Sequence, residues 1–428
     1  MVSDPRVTPN SPNSTKAAEP RVLLVRGARQ LVTLRGPRGP RRGEALRQLQ
    51  IVPDGALLII DGKIAEVGPG RRVEMLQAAK NAEELDCTGK VVMPGFVDCQ
   101  THVLSPPAPL DDYETRHLRG AEPQPEDAGA ALLRGIRTMR SYSPQRLEME
   151  AKRRLRMFTR YGSTSLGTCS GYGLDEPSEI RMLRVLDHLR AHPLDIVPSF
   201  GGAVTIGPEY LGRPLDYLDF LLRDLLPVVH RRRLARFADI SVGEGAFDNP
   251  AAERFVAEAR KAGIRTCVRL RNGGQAVPGA HAVSGLWNSV GPIPVDDTIA
   301  ILTPGRSFHE DARAIEPARQ LIDAGVPVAL STGFNSETSP SCSMPMALSL
   351  ACNMLRMTPA EALSAATINA AHALDLGATH GSLETGKWAD LLVLNTGDYR
   401  DIPFQFGVNL IAMVLKRGQP IYPRFEAV

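Results

Sequence analysis

Cysteine is scarce. Six residues in 428, none in a Cys-x-x-Cys pair, are too few and too scattered for a disulfide framework, and a reducing, cytoplasmic setting is expected. Long apolar runs are absent too. No stretch of about 18 apolar residues occurs, so no transmembrane helix is expected. Met1–Pro20 is polar and proline-rich with no apolar segment of signal-peptide type, and reads as a disordered tail. Charge of one sign is lacking: the net charge is +3 and the pI near 8.5, which gives no case for a nucleic-acid or membrane partner. No internal repeat or low-complexity core segment is found. What remains is an ordinary globular composition, 43% hydrophobic and 23% charged. The length suits one large domain with a smaller companion.

Short strand-like runs come first: Val22–Val25, Leu31–Leu34, Ala56–Ile60 and Ile64–Val67, with Asp61-Gly62 as a hairpin signal between the last two. Gly36–Arg42 reads as a solvated basic loop. From Val91 the pattern changes. Strand candidates Val91–Asp98, Ser163–Thr168, Ile196–Phe200, Phe237–Val242, Ile264–Leu270 and Val326–Thr332 alternate with helical stretches. Those are Pro144–Arg160, Glu176–Ala191, Leu215–Arg233, Ala251–Ala262 and Ala312–Ala324. Such alternation predicts a parallel α/β architecture, a (β/α)8 barrel. Thr358-Pro-Ala-Glu361 carries a helix-opening capping box. Ala389–Leu394 and Leu410–Leu415 return to strand character. A small β-sandwich built from both chain ends is therefore expected over 21–92 and 385–428, with the barrel over 93–384 between them.

Val92-Met-Pro-Gly-Phe-Val-Asp-Cys-Gln-Thr-His102 resembles the opening strand of the metal-dependent amidohydrolase superfamily, PG(L/F)(I/V)DxHxH. Its two histidines, i and i+2 on one strand, face the same side and bind a divalent metal that activates water. Six further segments, in the same relative order, are similar to the imidazolonepropionase family, whose members open a cyclic C–N bond. They are Ser170-Gly-Tyr-Gly-Leu-Asp175, Pro208-Glu-Tyr210, Glu244-Gly-Ala-Phe247, Thr332-Gly-Phe-Asn-Ser-Glu-Thr-Ser-Pro340, Thr367-Ile-Asn-Ala-Ala371 and Gly381-Ser-Leu-Glu-Thr-Gly-Lys-Trp-Ala-Asp390. The resemblance runs from about residue 21 to 420 and implies a homodimer.

The family's motifs are departed from where they should meet metal and substrate. Of the metal positions that the resemblance implies, His102 is kept, while Gln100, Arg269 and Gly333 stand where histidine, histidine and aspartate are usual. Arg271 replaces a nearby acidic residue, Cys169 a lysine and Val204 a substrate-contacting histidine. Gly285 aligns less securely with another histidine, and the family's arginine after the metal motif has no counterpart in His102–Pro109. A catalytic zinc site needs three protein ligands, and a guanidinium beside the metal position repels a cation. No cofactor is therefore expected, with zinc or iron the metal of a chain that keeps one. The expectation is a non-hydrolytic small-molecule-binding or regulatory protein.

Two alternatives stay open. One is a hydrolase of a cyclic C–N bond (imidazolone, lactam or cyclic amide) working without metal through His102, Cys169 and Arg269. The other is a metal hydrolase whose ligands come from elsewhere, such as His281 or Glu310. Arg269 and Arg271 lie two apart on an expected strand, so both should face the barrel interior. Buried there, the pair either finds an internal carboxylate, Glu244 being one candidate, or binds an anionic ligand. Cys169 and His102 are candidates for a nucleophile–base pair, the alternative being a small buried thiol and a leftover histidine. Gln100, His102, Tyr172, Arg269, Arg271 and Asn335 are the candidate ligand contacts. His188, His192 and His309 show no ligand spacing, and Met344, Met346, Met354 and Met357 have the spacing of a helix packed in a core.

Overall fold

The computed structural model describes residues 20–119, 125–285, 297–309 and 315–423; residues 1–19 of the expected tail lie outside them. Eight strands form a mixed sheet. In chain order they are β1 (Val22–Val32), β2 (Ile51–Ile60), β3 (Lys63–Pro69), β4 (Glu83–Asp86), β5 (Val91–Pro94), β14 (Leu391–Leu394), β15 (Ile411–Lys416) and β16 (Gln419–Tyr422). The path runs β16-β15-β14-β5-β1-β2-β3, with β4 paired to β1. Both chain ends therefore meet in it, through the β5–β14 pairing. The β2–β3 hairpin turns on Asp61 and Gly62, both at positive φ, as the right-handed strand twist demands of a two-residue loop. The two short runs expected before Leu34 are one strand, β1, interrupted by a register shift between Val25 and Ala28. Gly27 sits in that shift at φ +71, where a Cβ would lie 2.7 Å from Thr88 Oγ1.

The other eight strands are parallel and follow one another in order: β6 (Phe96–Thr101), β7 (Ser163–Cys169), β8 (Asp195–Ala203), β9 (Phe237–Val242), β10 (Arg265–Leu270), β11 (Ala282–Ser284), β12 (Ile299–Leu302) and β13 (Val328–Leu330). This is the expected (β/α)8 barrel. Val91–Asp98, expected as one strand, is divided at Gly95 between the two sheets. Its backbone N–H reaches Asp390 O at 3.0 Å, and a Cβ would lie 2.3 Å from Thr164, so only glycine lets the chain cross there. β11 and β12 were not expected from the sequence, being only three and four residues long.

The seam between the last and first barrel strands is closed by a carboxylate. Asp98 accepts from Ser331 Oγ, from Thr332 N at 3.1 Å and from Thr332 Oγ1 at 2.5 Å. Gln100 N donates to Ser331 Oγ at 3.0 Å, and His102 N to Phe334 O at 2.7 Å. Burial pushes the Asp98 carboxyl up to about 6 against these hydrogen bonds.

Helices cover the barrel where apolar spacing foretells them, and side-chain caps fix where they start. Pro144–Arg160 opens with Ser143 as N-cap, accepting from Arg146 N, and buries Leu147, Ala151, Leu155 and Phe158 at four- and three-residue intervals. Asn249–Lys261 is capped by Asp248, and Thr358 with Glu361 completes the expected capping box. Expected as one helix, Ala312–Ala324 is helical from Ala318 to Asp323, and residues 312–314 lie outside the described chain. Among the described residues no helix is long and apolar enough to cross a membrane.

Candidate active site at the barrel mouth

Alternate residues of the first barrel strand and its extension, Asp98, Gln100 and His102, set the geometry. Asp98 closes the seam, and Gln100 and His102 line a cavity of about 210 Å³ at the C-terminal ends of the strands. His102 is buried and held from both sides. Its Nδ1 lies 3.1 Å from Ser170 O, and its Nε2 lies 2.7 Å from Arg269 Nη1. A carbonyl only accepts and a guanidinium only donates, so the proton sits on Nδ1 and the Nε2 lone pair faces the arginine. Burial, with Arg269 beside it, pulls the His102 pKa down to about 3.

Arg269 has its carboxylate, and it is Asp239, not Glu244. Nε and Nη2 of Arg269 both reach Asp239 Oδ2, at 2.9 and 2.5 Å, while the second carboxylate oxygen accepts from Ser199 Oγ. The Glu244 carboxylate instead accepts from Asn272 Nδ2 at 3.3 Å. Asp239–Arg269–His102 is thus a continuous buried chain of hydrogen bonds, with the guanidinium at the centre.

Arg271 does not join it. β10 ends at Leu270, and Arg271 turns along the rim, donating to Gly245 O at 3.2 Å and Val204 O at 3.0 Å. It still lines the mouth, together with Arg306. Burial and the neighbouring Arg306 and Arg269 charges lower its pKa.

The opposite wall is a second relay. Asn335 Nδ2 donates to Tyr172 Oη at 2.6 Å, Tyr172 Oη donates to Glu337 Oε2 at 2.7 Å, and Glu337 N donates to Asn335 Oδ1 at 2.9 Å. Burial raises the Glu337 carboxyl and holds the Tyr172 phenol well above its usual range. The Tyr172 ring meets His102 edge to face, with centroids 5.9 Å apart. The loop that presents Tyr172 is wrapped on buried Glu179, which accepts from Ser170 Oγ and from the backbone N–H groups of Gly171, Gly173 and Leu174 at 2.6–3.1 Å. The same loop supplies the Ser170 carbonyl that orients His102.

Cys169 does not pair with His102. Its thiol is buried beside Asp239, Cys267 and Arg269 under the mouth, and burial pushes its pKa well above the usual value. Gln100 carries an unmet need: its buried Oε1 has no hydrogen-bond partner among the described residues.

The sequence did not single out Asp239, Glu337, Asp98 or Arg306. Asp239 could have been found as the acidic residue inside the apolar run Phe237–Val242. Asp98 could have been found by its strand phase with Gln100 and His102.

The four family metal positions do not fit a divalent ion as they stand. Gln100 and Gly333 offer no imidazole or carboxylate, the His102 lone pair is taken, and the Arg269 guanidinium fills the centre. His281 lies elsewhere, its Nε2 on the carbonyls of His372 and Ala373 at 3.2 Å. Glu310 lies outside the described residues. One group of metal-ligand type is found among the described residues: Asp195, His380 and Asp390, with donor atoms within 4.8 Å of one another. Asp195 begins β8, so this group sits at the end of the barrel opposite the mouth. There the Lys416 ammonium lies 2.6 Å from Asp195 Oδ2 and 2.5 Å from Asp390 Oδ2, so an incoming ion competes with it.

A parallel eight-stranded barrel beside a mixed sheet made from both chain ends, with its polar cluster at the strands' C-terminal ends, is the architecture expected of the amidohydrolase class. The model of the amidohydrolase family matches residues 308–421. An adenosine deaminase of Xanthomonas campestris solved with bound zinc shares the fold, with TM-score 0.64 and 16% identity over 93% of this chain and 92% of that one. Imidazolonepropionase of Chloroflexus aggregans is 36% identical over 94% of this chain and 99% of its own length. That of Geobacillus thermodenitrificans is 37% identical over 93% and 97%. The chain belongs to the imidazolonepropionase family.

Two expectations are corrected by these likenesses. A non-hydrolytic binding or regulatory protein was expected from the substituted positions. Relatives matching nearly end to end carry an enzyme's name instead, which favours an active hydrolase. Chain-wide identity reports on the whole fold, whereas the expectation rested on a few positions. The absence of a cofactor was likewise expected. A fold neighbour holds zinc, and Asp195, His380 and Asp390 form a group that could take an ion outside the family positions.

Proposed function

We propose that the chain is a hydrolase opening a C–N bond in a small cyclic substrate, an imidazolone, lactam or cyclic amide, in the mouth cavity. The observation that carries this is identity of 36% to an imidazolonepropionase over nearly the whole of both chains. The cavity suits such a ring. The unpartnered Gln100 Oε1 is an acceptor for a ring N–H. Arg271, beside the charge of Arg306, gains from an anionic substituent on the substrate. Glu337, whose carboxyl is raised by burial and which lines the same cavity, is the group that can carry a proton to the departing nitrogen, with Tyr172 and Asn335 fixing its position. His102 becomes a base only once Arg269 moves from Nε2, which a substrate oxygen drawing the guanidinium away would accomplish.

The test is turnover by the purified protein, with zinc supplied and with chelator, across imidazolonepropionate, lactams and cyclic amides, each with and without a carboxylate arm. Ring opening of at least one, faster with the arm, is expected. No turnover of any by folded, zinc-supplied protein overturns the proposal. We also propose a cytoplasmic homodimer, a reading that the family resemblance and the scarce cysteines support, and sedimentation of the pure chain checks the assembly.

A further inference from the structure

The segment after β13 is a thin partition. Gly333, Asn335 and Glu337 line the mouth, while Phe334 and Ser336 between them line a second cavity of about 350 Å³ that shares no lining residue with the first. Neighbouring residues of one tight turn segment lining different cavities place the two spaces back to back.

The second cavity is built around guanidinium groups. Arg154 is 6% exposed and donates only to carbonyls, Val103 O at 2.6 Å and Pro106 O at 3.3 Å, with no carboxylate at ion-pair distance among the described residues. Burial lowers its pKa. Arg146 stacks 3.9 Å from the Tyr142 ring centroid with Nη2 3.2 Å from the Tyr142 hydroxyl, which leaves its remaining N–H groups to point elsewhere. Arg153 is answered by Glu150 at 3.1 Å. Ser105, 2% exposed, lines the same space, and its hydroxyl has no partner among the described residues. The rest of the lining, Phe334, Met157 and Pro340 among it, is apolar.

We propose that this cavity is a second ligand site, distinct from the mouth, for a small organic carboxylate with an apolar body. The carboxylate takes N–H groups of Arg146 and Arg154 and the Ser105 hydroxyl, and the body lies against Phe334 and Met157. Because Phe334 O receives His102 N and Ser336 Oγ donates to Pro106 O at 2.6 Å, an occupant there presses on the wall that carries Asn335 and Glu337. The site stands independently of the hydrolase proposal.

Calorimetric titration with benzoate, and with benzamide as the neutral control, tests it. Saturable binding of benzoate at least about tenfold tighter than benzamide is expected, as for a charged hydrogen bond gained. Arg146→Ala on the exposed helix face, and Met157→Trp, which fills the cavity and leaves every charge, each weaken benzoate by about tenfold or more. Arg271→Ala in the mouth leaves it unchanged. No binding, equal affinity for benzamide, or loss in Arg271→Ala with retention in Arg146→Ala overturns the proposal.

Discussion

Arg269 Nη1 donates to His102 Nε2 across 2.7 Å, and this one bond decides what the histidine can do. With Nδ1 committed to Ser170 O, neither ring nitrogen is open to a proton or a metal. Removing the guanidinium should release it. In Arg269→Met the His102 pKa is expected to rise from about 3 yet stay below the ordinary 6.5, because burial, the larger cause of the shift, remains; the rise is read from the pH dependence of its ring proton shifts. An unmoved titration would mean that burial alone, without Arg269, holds the imidazole neutral.

Asp239 is the counterweight. It is 5% exposed and Arg269 17%, so Asp239→Ala leaves a buried cation without its anion. A loss of about 3–5 kcal/mol in urea unfolding is expected. The double variant Asp239→Leu with Arg269→Met should recover most of it, because two apolar side chains replace two charges. Equal destabilisation by the single and double variants would show that the pair is not the source of the loss.

Glu316 gives stability an alkaline limit. Its carboxyl is buried, accepts from Thr303 N at 2.8 Å, leaves Oε1 without a partner among the described residues, and is pushed up to about 8 by burial. Between the unfolded value of 4.5 and about 8 the native state keeps a proton that the unfolded chain has released. Stability is full below the lower value and falls as pH rises through the window, by at most about 1.4 kcal/mol per unit. His102 acts oppositely, losing stability as pH falls from 6.5 toward 3, and Asp98 is spent above about 6. The interval from pH 6.5 to 8 therefore carries the Glu316 loss, with Glu179 and Glu337, also raised by burial, acting in the same direction. In Glu316→Gln the decline over that interval should shrink, and a decline of the same size would refute the assignment.

The barrel was legible because its signals are local. Ser143-Pro144 and Asp248 cap helices whose apolar spacing continues for three or four turns, and Phe237–Val242 is an unbroken strand run. β11 and β12 were not, since three or four residues carry no period of their own and owe their state to flanking strands. The same limit applies to the site. His102, Arg269, Tyr172 and Asn335 could be singled out by resemblance, but their partners lie far along the chain. Asp239 is 30 residues from Arg269 and Glu337 is 165 from Tyr172. Strand phase put Arg269 and Arg271 in one mouth, but Arg271 turns along the rim instead of joining the buried chain, because β10 stops one residue before it.

Restoring ligands is the sharpest probe of what the mouth has become. Gln100 and His102 share one strand phase, and Arg269 meets His102 from across the barrel. Gln100→His combined with Arg269→His would bring three imidazoles to one point, the minimum for a catalytic zinc centre, with Asp239 left to orient the new ring at 269. Position 333 is not a useful fourth: Gly333 has φ +62 and a Cβ there would lie 2.9 Å from Thr303. Zinc affinity, measured by competition with a chromophoric chelator, is expected to rise by at least about tenfold over the parent. His102→Ala in that background should reverse the gain, which separates the mouth from the Asp195, His380 and Asp390 group at the other end. A folded double variant with the parent's zinc affinity would mean that the strands no longer hold positions 100, 102 and 269 at coordinating distance.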